Sequence, residues 1–122
     1  MECVEVIIIK MQFLVRGLDG TDKDAMKRRL AVREEHIKLG DELLAQGKMY
    51  FGAALRDDEG NMKGSVFIMN FADEKELQEW LDIEPYVTGG VWKNIEIHKA
   101  SVRDPWQFSK SKEWYEEHGH KN

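Results

Sequence analysis

Hydrophobic and polar residues recur along the chain with the periods of strands and helices. Residues 4–16 alternate as a half-buried strand does, which predicts a first strand, and residues 17–21 (GLDGT) are predicted to form a loop. Residues 22–46 lack proline and are rich in helix formers, so they predict a long helix that Thr21 caps and Gly47 ends.

The second half of the chain predicts two further strands, a short helix and a last strand. Asp73 and Glu76 have the spacing of a capping box, and Pro85 is expected to end the short helix, because the residue before a proline is disfavoured in helical geometry. The predicted elements, in order, are a strand at 48–56, a turn-rich connection at 57–64, a strand at 65–71, a helix from 73 to 81 and a strand at 91–102.

The order β-α-β-β-α-β predicts an α+β fold of the ferredoxin-like type, with two helices on one face of a four-stranded antiparallel sheet. The strand at 65–71 (SVFIMNF) is apolar on both of its sides, and a single layer of helices cannot bury both faces of a sheet. We therefore expect a second sheet to cover the open face, and a homodimer provides one. The domain is expected to span residues 1–103.

An aromatic-rich extension, residues 104–122, follows this domain. It contains two tryptophans, a phenylalanine and a tyrosine, which are too many for a segment that only solvates the protein. We expect it to pack on its own subunit or on the partner, where it would narrow the mouth of a pocket.

Charge and composition argue against several classes of protein. The formal net charge of −5 argues against a nucleic-acid partner. No apolar run approaches the ~20 residues of a membrane span, and the acidic Glu2 and Glu5 are unlike the start of a signal peptide, so no membrane partner and a cytoplasmic location are expected. The single cysteine, Cys3, permits no intrachain disulfide and gives no metal-site spacing.

The long helix carries a histidine on its apolar half. On a helical wheel, Arg29 and Arg33 lie beside His36, because residues three, four and seven positions apart share a face. A small anion is the expected partner of the two arginines, whereas His36 alone is either a hydrogen-bonded core residue or an acid–base group. The apolar residues on the same half are Met26, Leu30, Val32, Ile37, Leu39, Leu43 and Leu44.

Three segments resemble the YciI-like (YCII-related) family. The segment RRLAVREEHIKLGDELLAQGKMYFGAAL at 28–55 is similar to the family's helix motif, RL-x-VR-x-x-H-L, and to the strand that follows it. GSVFIMNF at 64–71 resembles the family's Gly-Ser strand, and EPYVTGGVWKNIEI at 84–97 resembles its DPY-V-x-x-G-V-Y segment. The three motifs occur in the family's order, and the similarity spans roughly residues 12–99.

The resemblance implies a dimeric α+β barrel with a candidate active site built on a histidine and an aspartate. The histidine corresponds to His36, and Glu84 stands at the aspartate position. The other matching positions are Arg33, Gly52, Gly64 and Ser65.

The leading hypothesis is a cofactor-independent enzyme of the isomerase or lyase type that acts on a small anionic metabolite. His36 would transfer the proton, Glu84 would orient and charge-stabilise it, and Arg29 or Arg33 would hold the substrate, together with Gly52, Gly64 and Ser65. A non-catalytic ligand-binding or accessory module is one alternative, and a protein that carries a phosphoryl group on His36 is another. No metal and no cofactor are predicted, and no glycine loop of the nucleotide-binding type is present in the sequence.

Overall fold

The computed structural model describes residues 10–103, 113 and 116–117. The start predicted for the first strand, at residues 4–9, and most of the extension 104–122 lie outside the described residues. The elements are β1 (Met11–Asp19), α1 (Ala25–Ala45), β2 (Met49–Arg56), β3 (Met62–Phe71), α2 (Glu74–Ile83), α3 (Pro85–Thr88) and β4 (Trp92–Ala100).

The four strands form one antiparallel sheet in the order β2-β3-β1-β4. β1 is central and pairs with β3 from Met11 opposite Phe71 to Leu18 opposite Gly64. This arrangement confirms the predicted α+β ferredoxin-like fold. Because β2 is an edge strand, the space between β2 and α1 lies at the side of the sheet.

The hydrophobic core lies between the sheet and the helices. Phe13 and Val15 of β1 point into it, and so do alternate residues of β3, as the two-residue period of a strand requires. Burying a large apolar side chain contributes roughly 1.5–3 kcal/mol, so this layer supplies most of the driving force for folding. The other buried apolar residues are Leu43, Met49, Phe67, Met69, Phe71, Leu77, Trp80, Leu81, Tyr86, Val91 and Trp92.

The first strand extends three residues further at its C-terminal end than the sequence predicted. Residues 17–19, predicted as part of a loop, continue β1. Gly17 pairs with both neighbouring strands, and the ring of Trp92 lies so close that a Cβ atom at position 17 would be 2.3 Å from it. The glycine therefore serves close packing in a strand, and the strand carries Asp19 to the edge of the candidate site.

The long helix α1 is present, and it buries only part of the predicted apolar half, in which Leu43 is buried and Val32 and Leu39 pack against the core. Leu30, Ile37 and Leu44 are 57%, 41% and 47% exposed, whereas Arg29 is 3% exposed. Arg29 lies on the buried side, where the wheel placed it beside His36, but its buried partner Asp19 was not predicted.

The ends of α1 also differ in part from the prediction. Asp24, not Thr21, occupies the N-cap position, and its side chain makes no capping hydrogen bond. Gly47 follows the helix with a φ of 73°, as expected for a glycine that ends a helix.

A second short helix follows α2. The capping pair is confirmed, because the Asp73 side chain accepts from the Glu76 backbone N–H at 2.9 Å. Pro85 does more than end α2: it occupies the first turn of α3, where its missing N–H has no cost. Glu84 therefore lies at the junction of α2 and α3, in extended backbone geometry.

The face of the sheet opposite the helices is partly apolar. Leu14, Val66 and Ile68 alternate with core residues, are half-buried, and lie together because Leu14 pairs with Ile68. Among the helices of the described part of the chain, none is long and apolar enough to cross a membrane.

Candidate active site

A cavity of about 230 Å³ lies between α1 and the strands β2 and β3. A cavity of this size suits a small metabolite. Arg29, Arg33 and His36 from α1 line one side, and Phe67 and Tyr86 line another. The remaining lining residues are Ile37, Gly40, Asp41, Leu44, Met49, Gly52, Ala53, Ala54, Met62 and Ser65.

His36 and Glu84, which are 48 positions apart, meet at this cavity. His36 Nδ1 is hydrogen-bonded to Glu84 Oε1, and the carboxylate is fully buried, whereas the imidazole is 13% exposed. An ionised carboxylate can only accept, so it favours the tautomer with the proton on Nδ1. Nε2 is then the ring nitrogen with a free lone pair, which is what a general base requires.

The carboxylate of Glu84 is itself held in place. Its Oε1 also accepts a hydrogen bond from the Tyr86 backbone N–H at 3.1 Å, which follows from the position of Glu84 at the start of α3. Its Oε2 is buried and has no hydrogen-bond partner within the described residues. The geometry thus directs one carboxylate oxygen to the imidazole.

Aromatic rings fix the plane of the His36 imidazole. The Tyr86 ring is stacked on it, with 3.7 Å between centroids and 10° between planes, and Phe67 meets it edge-on at 5.7 Å. Tyr86 was not among the site residues predicted from the sequence. A signal was present, because Tyr86 comes directly after Glu84 and Pro85 in the family-like segment.

Tyr86 is a neutral hydrogen-bonding group at ordinary pH. Burial raises the pKa of its phenol, and the positive charges of Arg29 and Arg33 oppose that shift without cancelling it. The side chain therefore keeps its proton and can donate a hydrogen bond.

Arg29 takes part in a buried network of hydrogen bonds that was not predicted from the sequence. Its Nη1 donates to both carboxylate oxygens of Asp19 at 3.0 Å, and its Nη2 donates to Ser65 Oγ at 3.2 Å and to the Gly64 carbonyl at 3.4 Å. Its guanidinium carbon also lies 4.8 Å from the centroid of the Tyr86 ring. Asp19 thus balances the charge of Arg29, which corrects the expectation that Arg29 is a free partner for a substrate anion.

Arg33, one turn further along α1, is the available cation. It is exposed, it lines the cavity, and it forms no ion pair with another residue in the described ranges. Of the two arginines predicted to hold an anion, the structure leaves Arg33 free to do so.

Comparison with known proteins identifies the family of this chain. The YCII-related domain matches residues 11–101. The chain belongs to the YCII-related family. Protein YciI of Escherichia coli O6:H1 is 34% identical over 82 residues, which cover 61% of this chain and 82% of that protein. An uncharacterized protein from Haemophilus influenzae is 28% identical over 78 residues, which cover 59% of this chain and 80% of that protein.

A solved structure shares the fold of this YCII-related chain. It is the 5-chloro-2-hydroxyhydroquinone dehydrochlorinase TftG from Burkholderia phenoliruptrix, in complex with 2,5-dihydroxybenzoquinone. The TM-score is 0.64 at 20% identity, over 75% of this chain and 94% of that chain. The two proteins therefore have the same arrangement of strands and helices.

Three other family positions were expected at the site, and the structure separates them. Ser65 and Gly52 line the cavity, and Ser65 is buried with its hydroxyl accepting from Arg29. Gly64 does not line it, because adjacent residues of a strand point to opposite faces. Only the Gly64 carbonyl reaches toward the site, as an acceptor for Arg29.

The second histidine of the described residues, His98, lies away from the cavity. His98 is exposed on β4, 3.7 Å from Glu96, as expected for a surface histidine. Within the part of the chain that the structure describes, no group of three His, Cys, Asp or Glu side chains could hold a metal ion.

Proposed function

We propose that the protein is a cofactor-independent acid–base enzyme, of the lyase or isomerase type, that acts on a small anionic compound in the cavity. The observation that carries the proposal is the buried Glu84 carboxylate bonded to His36 Nδ1, at a cavity that the imidazole lines. A histidine oriented by a buried carboxylate is a recurring proton-transfer unit on unrelated folds.

In the proposed reaction, His36 Nε2 takes a proton from a carbon of the substrate. The C–H bond breaks, its electron pair stays on the substrate, and the imidazole becomes a cation that Glu84 stabilises. In an isomerisation, His36 returns the proton to another atom; in an elimination, the electron pair forms a double bond and expels a leaving group. Positioned proton transfer of this kind accelerates reactions by about 10²–10⁴-fold.

Arg33 would bind the negative charge of the substrate. The charge on Arg29 is balanced by Asp19, so it supplies little net attraction for an anion, whereas Arg33 is at the cavity without an ion pair in the described ranges. A guanidinium also matches the geometry of a carboxylate or an ionised hydroxyl group.

The fold relative supports elimination as the reaction type. TftG is named as a dehydrochlorinase, an enzyme that removes HCl from its substrate, and it has the same fold. Fold likeness alone does not determine function, so the His36–Glu84 geometry is the principal support and the likeness is the secondary one.

We also propose that the protein is a homodimer. The half-buried apolar residues Leu14, Val66 and Ile68 on the open face of the sheet support this assembly, since a partner sheet would remove them from water. A cytoplasmic location remains a prediction from the sequence.

Solvent-deuterium exchange tests the proposed proton transfer without a known substrate. The protein in D₂O is incubated with a panel of 2-oxo acids, 1,3-dicarbonyl acids and hydroxylated quinones, and ¹H NMR follows loss of their C–H signals. We expect exchange with wild type and with the matched control His98→Gln, and exchange at least about a hundredfold slower with His36→Gln.

The outcome separates the three functional hypotheses. Equal exchange in wild type and His36→Gln contradicts the proposal. Binding of panel compounds without exchange in wild type favours a ligand-binding module. A phosphoryl group on His36 after incubation with a phosphoryl donor, detected by mass spectrometry, favours the phosphoryl carrier.

A further inference from the structure

Tyr86 is a buried residue whose hydroxyl group has no role in the proton transfer described above. Tyr86 is 1% exposed and lines the cavity, and its hydroxyl is the only polar group that its side chain can present there. No hydrogen bond joins this hydroxyl to an atom in the described ranges of the chain. Since buried tyrosine hydroxyls usually have a partner, a ligand in the cavity is a natural one.

Two neighbouring side chains contact the Tyr86 ring and hold it in place. One contact is the stacked imidazole of His36, at 3.7 Å, and another is the guanidinium of Arg29, at 4.8 Å from the ring centroid. Arg29 is in turn fixed by Asp19 and Ser65. This support fixes the position of the hydroxyl, and fixed donors are what stabilise developing charge most effectively.

Arg29 and Arg33 line the cavity together with Tyr86. Both arginines act to lower the pKa of Tyr86, whereas burial, which is the larger effect, raises it, as do Asp19 and Glu84. The charge of Arg29 is balanced by Asp19, whereas Arg33 lines the cavity and forms no ion pair within the described residues.

We propose that the Tyr86 hydroxyl and the Arg33 guanidinium form an oxyanion site that binds the oxygen of an enolate or phenolate next to His36. This inference rests on the proposed proton transfer. When His36 Nε2 takes the proton from carbon, the C–H electron pair moves toward the adjacent carbonyl group, and the carbonyl oxygen becomes the anion that the two donors bind. The substrate class is therefore a small carbonyl compound with an acidic hydrogen on the carbon next to its carbonyl group.

Binding of 4-nitrophenol tests the site directly, because its phenolate form absorbs visible light and its neutral form does not. We expect wild type to bind the phenolate more tightly than the neutral phenol, in titrations on either side of the ionisation of the probe. A hydrogen bond to a charged group is usually worth enough that Tyr86→Phe should weaken phenolate binding roughly tenfold to a hundredfold, with little effect on the neutral form. Arg33→Gln should weaken it to a similar extent.

Matched controls are available for both variants. Tyr50→Phe removes a hydroxyl that accepts a bond from Gln12 and does not line the cavity, and Lys38→Gln removes an exposed charge from the same helix as Arg33. Both should bind the phenolate as wild type does. Circular dichroism checks that Tyr86→Phe, which keeps the ring, retains the fold.

Two results would overturn the inference: no preference of wild type for the phenolate, or equal phenolate binding by wild type, Tyr86→Phe and Arg33→Gln. Failure of the proposed catalysis is distinguishable from either. If wild type catalyses no proton exchange but binds the phenolate through Tyr86 and Arg33, the oxyanion site stands and the proton-transfer role of His36 does not.

Discussion

Replacing Asp19 by asparagine would leave the buried guanidinium of Arg29 without its counter-charge. Both carboxylate oxygens of Asp19 lie 3.0 Å from Arg29 Nη1, and the two side chains are 4% and 3% exposed. Asparagine has nearly the same shape and keeps one oxygen as an acceptor. The substitution therefore removes the charge and leaves most of the packing.

The magnitude follows from burial and distance. At 3.0 Å, two unit charges attract each other by about 5 kcal/mol if the effective dielectric constant is about 20. Desolvation of both ions offsets most of this attraction in the native protein. When one ion is removed, the desolvation of the other remains, and the usual loss is about 3–5 kcal/mol. That loss is a large part of the about 5–15 kcal/mol by which a domain is stable.

Urea unfolding followed by tryptophan fluorescence measures this loss. Asp19→Asn should lower the free energy of unfolding by about 3–5 kcal/mol. The double variant Asp19→Leu with Arg29→Met should lose less, because it leaves no unpaired charge in the interior. Asp22→Asn, at the more exposed pair with Arg28, is the control and should leave the midpoint nearly unchanged. An Asp19→Asn midpoint equal to that of wild type would refute the reasoning.

Three further predictions follow from the site and the sheet. Glu84→Gln should slow proton exchange at least about a hundredfold and should lower the fraction of the Nδ1–H tautomer of His36 in ¹⁵N NMR, because an amide oxygen is a weaker acceptor than a carboxylate. An unchanged tautomer ratio would contradict the pairing. Burial raises the pKa of Tyr86, so the stability this shift contributes is fully present below the ordinary value of about 10 and is lost as the pH rises through the raised value. The free energy of unfolding of wild type, relative to that of Tyr86→Phe in urea titrations, should therefore fall in alkali, and a pH-independent difference would contradict the raised pKa. Ile68→Asp should convert a homodimer into monomers of 14.2 kDa in light scattering, and a retained dimer mass would exclude the open face as the interface.

The order of strands and helices could be predicted from the sequence because each element has its own period. The apolar run at residues 65–71 and the capping pair of Asp73 and Glu76 are local signals, and the structure confirms both elements. Local signals do not determine which residues that are distant in sequence come into contact. His36 and Glu84 are 48 positions apart, and only the family resemblance associated them before the fold brought them together.

The failed predictions about Arg29 and about the exposed residues of α1 share one physical cause. Hydropathy scores each residue by itself, whereas the burial of a charge depends on a partner elsewhere in the chain. Arg29 is buried because Asp19 reaches it from the end of β1, and that strand end was predicted as a loop. Because no partner for Arg29 was predicted, the apolar Leu30 and Ile37 were assigned to the buried side of α1. Both are exposed in the structure.

Arg29 and Arg33 of α1 have different surroundings, and we therefore expect them to have different roles. A buried arginine that is paired with a carboxylate adds rigidity and little net charge, so Arg29 can hold Tyr86 in place but attracts an anion only weakly. Arg33, exposed at the cavity, keeps its full charge for a ligand but cannot fix the geometry of the site. A substrate anion would then be drawn in by Arg33 and positioned by Tyr86. His36, stacked on Tyr86 and oriented by Glu84, would face the hydrogen to be removed, so a single helix would supply the attraction, the support and the base.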